Sequence, residues 1–544
     1  MRAIVSPPDA DLIHRRRWWT LAVLCLSLFI VFVGNSSLNV TLPTLSRDLH
    51  ASTSQLQWVV ALYSLVFAGL LFSTGALGDR FGRKGALQFG FVLFLAGAAM
   101  ASGSHAMWQL IACRGLMGAG AACIMPSTLS IIINVFPPAE RPKAIAIWAS
   151  ITGAAGALGP VASGLLLGHF WWGSVFLINV PVIVVALVAG HFLVPSSRDP
   201  DQARLDPVGA VLSTLGIASL VYALIQAPQL GWRSPATLAA FAVAAVALTA
   251  FVVAELRIAE PMLDMRFFRN PAFATGTGGM VLVFLGMFGV IFLVTLYFQL
   301  VLGYSALSAA VRMLPIAAIM LLVSPQTPRL AARFGAHRTV AAGMGLLAVG
   351  LLALRGVGVQ ANYPYLLVVF VPVIGGIALS MAPMTASIMS AVPPRRAGAG
   401  SAMNDATREL GAALGVAVLG SLAASRYGSS LHPFLGSLPA GGQALARSGL
   451  AGALQAASVL PHAAATRLTD GAETAFVSGF HLAVTMAAGL AIVASVIVYR
   501  YLPHRLGTGA PAPIEAPIPA LVVDLDEELV VLELEEEGSD PELA

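Results

Sequence analysis

Residues 75–84 read Gly75-Ala76-Leu77-Gly78-Asp79-Arg80-Phe81-Gly82-Arg83-Lys84. Residues 328–337, 253 positions later, read Pro328-Arg329-Leu330-Ala331-Ala332-Arg333-Phe334-Gly335-Ala336-His337. Leu, Arg, Phe and Gly recur in register. Each stretch is a short basic loop between two long apolar runs, 56–78 and 86–104 around the first, 307–325 and 337–354 around the second. A membrane helix needs about 20 mostly apolar residues, so each copy is a tight turn between two spans. The repeat implies two homologous halves in parallel orientation, one of the arrangements found in secondary transporters.

Working outward, the same criterion gives about fourteen spans: 18–41, 56–78, 86–104, 107–129, 144–167, 174–194, 208–226, 236–255, 273–299, 307–325, 337–354, 363–385, 402–424 and 476–501. They are too long and too uniformly apolar for barrel strands of about 10 alternating residues. The chain therefore reads as an all-α polytopic membrane protein. Its composition agrees: of 544 residues, 58% are hydrophobic and 10% charged, against about 25% charged in soluble domains. That balance excludes an ordinary soluble enzyme and a disordered chain.

Placing the N-terminus in the cytoplasm puts 21 of the 30 Lys and Arg in cytoplasmic segments and 6 in outer loops, with Arg114, Arg312 and Arg408 inside spans. This bias fixes the expected orientation, both termini cytoplasmic in the cell membrane. Arg15-Arg16-Arg17 before Trp18 resembles a signal peptide, but the apolar run that follows is too long for one and reads as a retained first helix. The cysteines, Cys25, Cys113 and Cys123, all lie in apolar runs, so neither a disulfide nor a metal cluster is expected. Residues 425–475, rich in Gly, Ala, Ser and Leu, read as one long outer loop. Residues 503–544 begin Pro-rich, hold 11 acids from 515 onward and no Lys or Arg beyond Arg505. They read as a solvated, disordered cytoplasmic tail, with a partner-docking segment as the alternative.

Four motifs resemble the major facilitator superfamily, and within it the fourteen-helix branch of drug/proton antiporters, over roughly residues 15–502. The first is the loop Gly75, Asp79, Arg80, Gly82, Arg83. The resemblance implies a conformational switch in which Asp79 sits against the start of span 13, near Gly400–Asn404, and lets go as the transporter changes state. The second is Arg114 with Gly118 and Gly120 in span 4. It is implied to face the central cavity and aid proton coupling; a structural Arg held by backbone carbonyls is the alternative. The third is Gly153, Gly156, Gly159, Pro160 and Gly164 in span 5, similar to the antiporter signature of the family and so pointing to export. The fourth is Trp171–Pro181 at the entry to span 6, with Tyr297, Gln299, Gly303, Tyr304, Arg312 and Pro315 as a matching later segment; these are expected to be structural.

The implied fold has a six-helix half over residues 1–200, two extra helices over 201–260 and a second six-helix half over 261–502. The chain departs from the branch where an acid is common: Gly34 beside Asn35 in span 1, and Ala61 and Leu62 before Tyr63 in span 2. Those absences weigh against a polycationic substrate. Inside the spans two buried acids stand out, Asp405 and Glu409, spaced i, i+4 and so sharing a helix face. Membrane carboxylates are functional by default, which makes the pair a proton-coupling candidate; a structural ion cluster with Arg408 is the alternative. His481 in span 14 is a lone histidine and reads better as a polar group near a helix end than as a coupling residue. Asn35, Asn39, Tyr63, Asn179 and Gln299 are candidate cavity groups.

No catalytic triad, phosphate loop or metal-ligand spacing is present, so neither an enzyme nor a bound cofactor is expected. The expected function is proton-coupled export of small amphipathic organic molecules, acting as a monomer in the bilayer and without nucleic acid. The alternatives are an exporter of a native metabolite or lipid, and a non-transporting membrane sensor or scaffold.

Overall fold

The structure is a computed structural model that describes residues 7–137, 140–197, 206–258, 261, 263–392, 397–436 and 438–503. The acidic tail lies outside the described residues but for its first position, as do Arg2, Arg198, Arg204, Arg395, Arg396 and Arg505 of the charge tally. Among the described residues there are eighteen α-helices and no strand.

The N-terminal half comprises α1 (Pro7–Asp48), α2 (Thr53–Phe81), α3 (Arg83–Ser102), α4 (Met107–Val135), α5 (Arg141–His169), α6 (Ser174–Leu177) and α7 (Asn179–Leu193). The linking pair is α8 (Pro207–Leu230) and α9 (Pro235–Arg257). The C-terminal half comprises α10 (Pro271–Leu296), α11 (Ala306–Val323), α12 (Thr327–Phe334), α13 (Ala336–Ala353), α14 (Tyr363–Ser390), α15 (Ala397–Leu431), α16 (Ala440–Arg447), α17 (Leu450–Ala457) and α18 (His462–Tyr501). Thirteen helical stretches among the described residues are long and apolar enough to cross a membrane. The fourteenth expected span, 144–167, falls in α5, a 29-residue helix whose described apolar stretch is Leu158–His169.

The two copies of the repeat turn at the same glycine, although the second is reached through a 3-10 turn, Ser324–Gln326, and the short helix α12. Gly82 separates α2 from α3 at φ +119°, and Gly335 separates α12 from α13 at φ +87°. Each donates its N–H four residues back at 2.9 Å, to Gly78 and to Ala331. Positive φ is open to Gly at little steric cost, which is why the repeat keeps glycine at that register.

The correspondence extends into the helices. Gly90 on α3 and Gly120 on α4 each lie so close that an added Cβ would stand 2.8 Å from the other's carbonyl oxygen. Gly343 on α13, again 253 positions after Gly90, makes the same approach to Gly376 on α14. Helices in lipid gain from such close backbone packing. The pairing pattern repeats as well: α1 with α5 and α10 with α15, α3 with α4 and α13 with α14, α3 with α7 and α13 with α18. The halves meet along α2–α15 and α5–α11. α8 packs on α2 and α15, and α9 rests on α8.

The segment 425–475 is not a loop. α15 continues to Leu431, α18 begins at His462, and α16 and α17 fill the interval. Tyr427 Oη donates to the Ala446 carbonyl at 3.0 Å, and α17 packs against both α1 and α18. The Gly and Ser content suggested a loop, but Leu450, Ala453, Ala456 and Ala457 recur at helical spacing and are buried.

Candidate functional site

The end of the bundle that carries the Asp79–Arg83 loop is called here the basic face, and the other end the opposite face. Between them, α1, α2 and α4 converge on Arg114, which is fully buried. Its Nε donates to the Val59 carbonyl at 3.1 Å, Nη1 to the Gly34 carbonyl at 3.2 Å and Nη2 to Asn35 Oδ1 at 3.2 Å. The guanidinium lies 4.2 Å over the Tyr63 ring, and Tyr63 Oη donates to the Val31 carbonyl. Burying a cation without a contacting carboxylate is costly; three carbonyl-type acceptors and an aromatic face offset that cost. The position where the branch commonly has an acid is thus used by a backbone carbonyl and an amide.

Across the seam, α15 carries the acids toward α2. Arg408 Nη1 stands 3.7 Å from Asp405 Oδ1, and the two side chains keep 24% and 23% of their surface accessible. Arg408 also lies 5.0 Å over the Phe284 ring of α10. Ser64 of α2 faces the Glu409 carboxylate, whose Oε2 is buried and has no hydrogen-bond partner among the described residues. Glu409 and Arg114 lie within electrostatic reach of one another. Two carboxyls and an arginine therefore border partly open space at the α2–α15 seam, with Asn35, Tyr63 and Arg114 beyond. Asn39 is half-buried and makes no hydrogen bond among the described residues, so it too fits a cavity wall.

Two cavity candidates lie elsewhere. Asn179 folds back on its own turn, with Nδ2 donating to the Val175 and Phe176 carbonyls. Gln299 sits in a π-helical turn, Tyr297–Val301, and its Nε2 donates across the seam to the Val40 carbonyl of α1 at 2.9 Å. It joins other bonds between the halves: Gln57 Nε2 to the Val416 carbonyl at 3.1 Å, the Thr53 N–H to Ser448 at 2.9 Å, and His50 with Gln455 at 3.1 Å. All lie toward the opposite face, where they tie the halves together. His481 contacts the Val357 carbonyl at 2.8 Å, away from Asp405 and Glu409.

The span 5 glycines divide their work. Ser37 Oγ donates to the Gly159 carbonyl at 3.2 Å and Ser36 Oγ to the Ala155 carbonyl at 3.2 Å, seating α5 on α1. An added Cβ on Gly164 would meet Leu307 of α11, on the other half, whereas one on Gly156 would meet nothing within 4 Å. Pro160 lies inside α5 without ending it. In the basic loop, Asp79 is paired at 2.8 Å with Arg83 of the same turn. The Arg83 N–H donates to the Ser197 carbonyl and Lys84 Nζ to the His191 carbonyl, both in the same half. Arg80 is exposed, over Phe81. Arg312 lies 4.2 Å over Tyr304 and 5.4 Å over Tyr363, in keeping with a structural part.

Sequence reasoning missed Ser36, Ser37, Gln57 and Ser64, small or polar residues in apolar helices whose type alone was the available signal. It also counted too few buried acids. Glu255 on α9 is 2% exposed, and its Oε2 accepts the Leu263 N–H at 2.9 Å, so it closes the turn after α9. Among the described residues no cluster of His, Cys, Asp and Glu could hold a metal ion, and all three cysteines are free.

The family model of the Major Facilitator Superfamily matches residues 24–416. The chain is 37% identical to the multidrug efflux pump LfrA of Mycolicibacterium smegmatis, over 91% of this chain and 98% of that protein. It is 32% identical to the tetracenomycin C resistance and export protein of Streptomyces glaucescens, over 95% and 97%. It is 33% identical to the methyl viologen resistance protein SmvA of Salmonella typhimurium, over 88% and 97%. Among solved structures, a bacterial homologue of the lysosomal transporter Spinster, inward-facing and unoccupied, aligns with a TM-score of 0.61 at 17% identity, covering 89% of this chain and 98% of that one. A peptide transporter of the POT type aligns at 0.60 with 14% identity, covering 90% and 96%.

Proposed function

The chain belongs to the Major Facilitator Superfamily, and on that premise we propose that it exports small amphipathic organic compounds, drugs or antibiotics among them, in exchange for protons. Relatives that match it almost end to end are named as efflux and resistance proteins. The basic face is cytoplasmic, both termini lie there, and the halves rock about the α2–α15 and α5–α11 seams. The bonds made by Gln57, Gln299, Thr53 and His50 hold the outer side shut, and Asp79 is ion-paired to Arg83 within its own loop. Both features fit a state open to the cytoplasm.

The observation that carries this proposal is the group Asp405–Arg408–Glu409, set at the seam of the halves beside partly open space. A carboxyl in a low-dielectric site is easier to hold neutral than charged, so Glu409 takes up a proton when water from outside reaches the seam. Substrate arriving from the cytoplasmic side competes with that protonated state, and the two ligands are coupled reciprocally. Arg408 competes for Asp405, which leaves Glu409 as the main carrier. Arg114 fixes the α1–α2–α4 junction against which Glu409 works.

Inverted membrane vesicles with an internal pH dye test the proposal. Neutral, monocationic and dicationic compounds are added in turn to energised vesicles. Proton release triggered by amphipathic neutral or monocationic compounds is expected, with dicationic compounds weakest because residues 34 and 61 carry no acid. A full panel without release, from vesicles with normal amounts of inserted protein, would favour a sensor or scaffold.

A further inference from the structure

The surface between α3 and α7 carries a lateral groove of about 450 Å³, within the range of ligand pockets. Phe89 and Val92 of α3 and Val188 and Phe192 of α7 line it and are 49–71% exposed. Both helices lie in candidate membrane spans, so these side chains face hydrocarbon. The groove is polar at one end only. There Gln88 and His191 line it, and Lys84 Nζ donates to the His191 carbonyl at 2.6 Å. Among the described residues neither Lys84 nor Arg80, in the same turn, has a carboxylate partner. Gln88 lies one turn deeper than Lys84, with its Nε2 buried against Gly190 of α7.

We propose that this groove binds one anionic phospholipid of the basic-face leaflet. The order of groups along α3 matches the order of groups in such a lipid. Lys84 meets the phosphate, with two ammonium N–H groups still free after the bond to His191. Gln88 is four residues further on, roughly 6 Å deeper at 1.5 Å per residue, a step that fits the polar layer flanking the hydrocarbon core. One acyl chain then runs over Phe89, Val92 and Val188. Anionic lipid is the occupant because the charge at the rim is cationic and meets no carboxylate among the described residues, and cytoplasmic leaflets supply anionic headgroups. Occupancy ties the basic loop to α7 and so adds to the stability of the N-terminal half.

The test uses full-length protein in vesicles of phosphatidylcholine, with or without phosphatidylglycerol. Either lipid carries a photoactivatable group on one acyl chain. Phosphatidylglycerol is expected to crosslink peptides containing residues 84–92 and 184–192 several-fold more than phosphatidylcholine does. Lys84→Gln should remove the preference while leaving residual labelling. Val188→Trp, a change on an exposed surface, should fill the groove and abolish labelling there while the protein still inserts. Equal labelling by the two lipids, or a preference that survives Lys84→Gln, would reduce the groove to ordinary bilayer contact and overturn the proposal. Absence of labelling at both helices would overturn it too.

Discussion

Gly164 and Gly156 belong to one glycine motif on one helix, and they should respond in opposite ways to the same substitution. A Cβ on Gly164 would stand 2.6 Å from Leu307 Cα and 3.0 Å from Leu307 N. Both are backbone atoms, so no rotamer change relieves the clash. Only separating α5 from α11 does, and that contact joins the two halves toward the opposite face. Overpacking of this kind costs about 1–3 kcal/mol, and it applies only to the state in which α5 and α11 touch. At about 1.4 kcal/mol per tenfold, Gly164→Ala should shift the balance roughly 5- to 150-fold toward the state parted on the opposite face. Gly156→Ala meets nothing within 4 Å. It should leave the balance alone and stabilise the helix by about 0.4–1 kcal/mol. The assay is a spin-label distance between His105→Cys and Gln360→Cys, exposed positions in the α3–α4 and α13–α14 connections. Gly164→Ala should move population to longer distances and Gly156→Ala should not. Unchanged distances in a folded Gly164→Ala protein would refute the assignment of α5–α11 as a state-dependent contact.

Arg114→Lys replaces a three-armed fork by a point charge and loses at least two charge-assisted bonds, so thermal stability in detergent should fall by about 3 kcal/mol or more; unchanged melting would mean that the carbonyl cradle is dispensable. Gln299→Leu removes the bond to the Val40 carbonyl, worth about 1 kcal/mol, and should lengthen the same label distance modestly without altering insertion. Gly82→Ala and Gly335→Ala each force a non-glycine residue to positive φ, at about 1–2 kcal/mol or more. Both should lower the yield of folded protein, measured by size-exclusion chromatography, and to similar extents if the two turns are equivalent.

Much of this architecture was legible because lipid narrows the choices. Long apolar runs must be helices, and the repeat at Gly82 and Gly335 announced both the turn and the two-half plan. The glycines of α5 and the buried Arg114 were also readable, since few physical reasons place them in a membrane helix. Direction was not readable. Helices apolar on every side carry little periodicity to show which face is inward. Asn179 and Gln299 were therefore grouped with Asn35 and Tyr63, although one caps its own turn and the other bridges the halves. Ser64 was invisible for the same reason, since only the approach of α15 gives it a part. The helices after Leu431 were hidden by their Gly and Ser content, and Glu255 by its position near a helix end.

The central claim is that Glu409, with Asp405, couples proton entry to export. The most direct test compares two activities of one purified variant in proteoliposomes: uptake driven by an imposed pH gradient, and substrate exchange without a gradient. Glu409→Gln mimics a permanently neutral carboxyl, so the account predicts that gradient-driven uptake is lost while exchange continues at a rate near wild type. Asp405→Asn should weaken the drive less, because Arg408 already engages Asp405. Gradient-driven uptake that persists in Glu409→Gln, and also in the double variant with Asp405→Asn, would contradict the account.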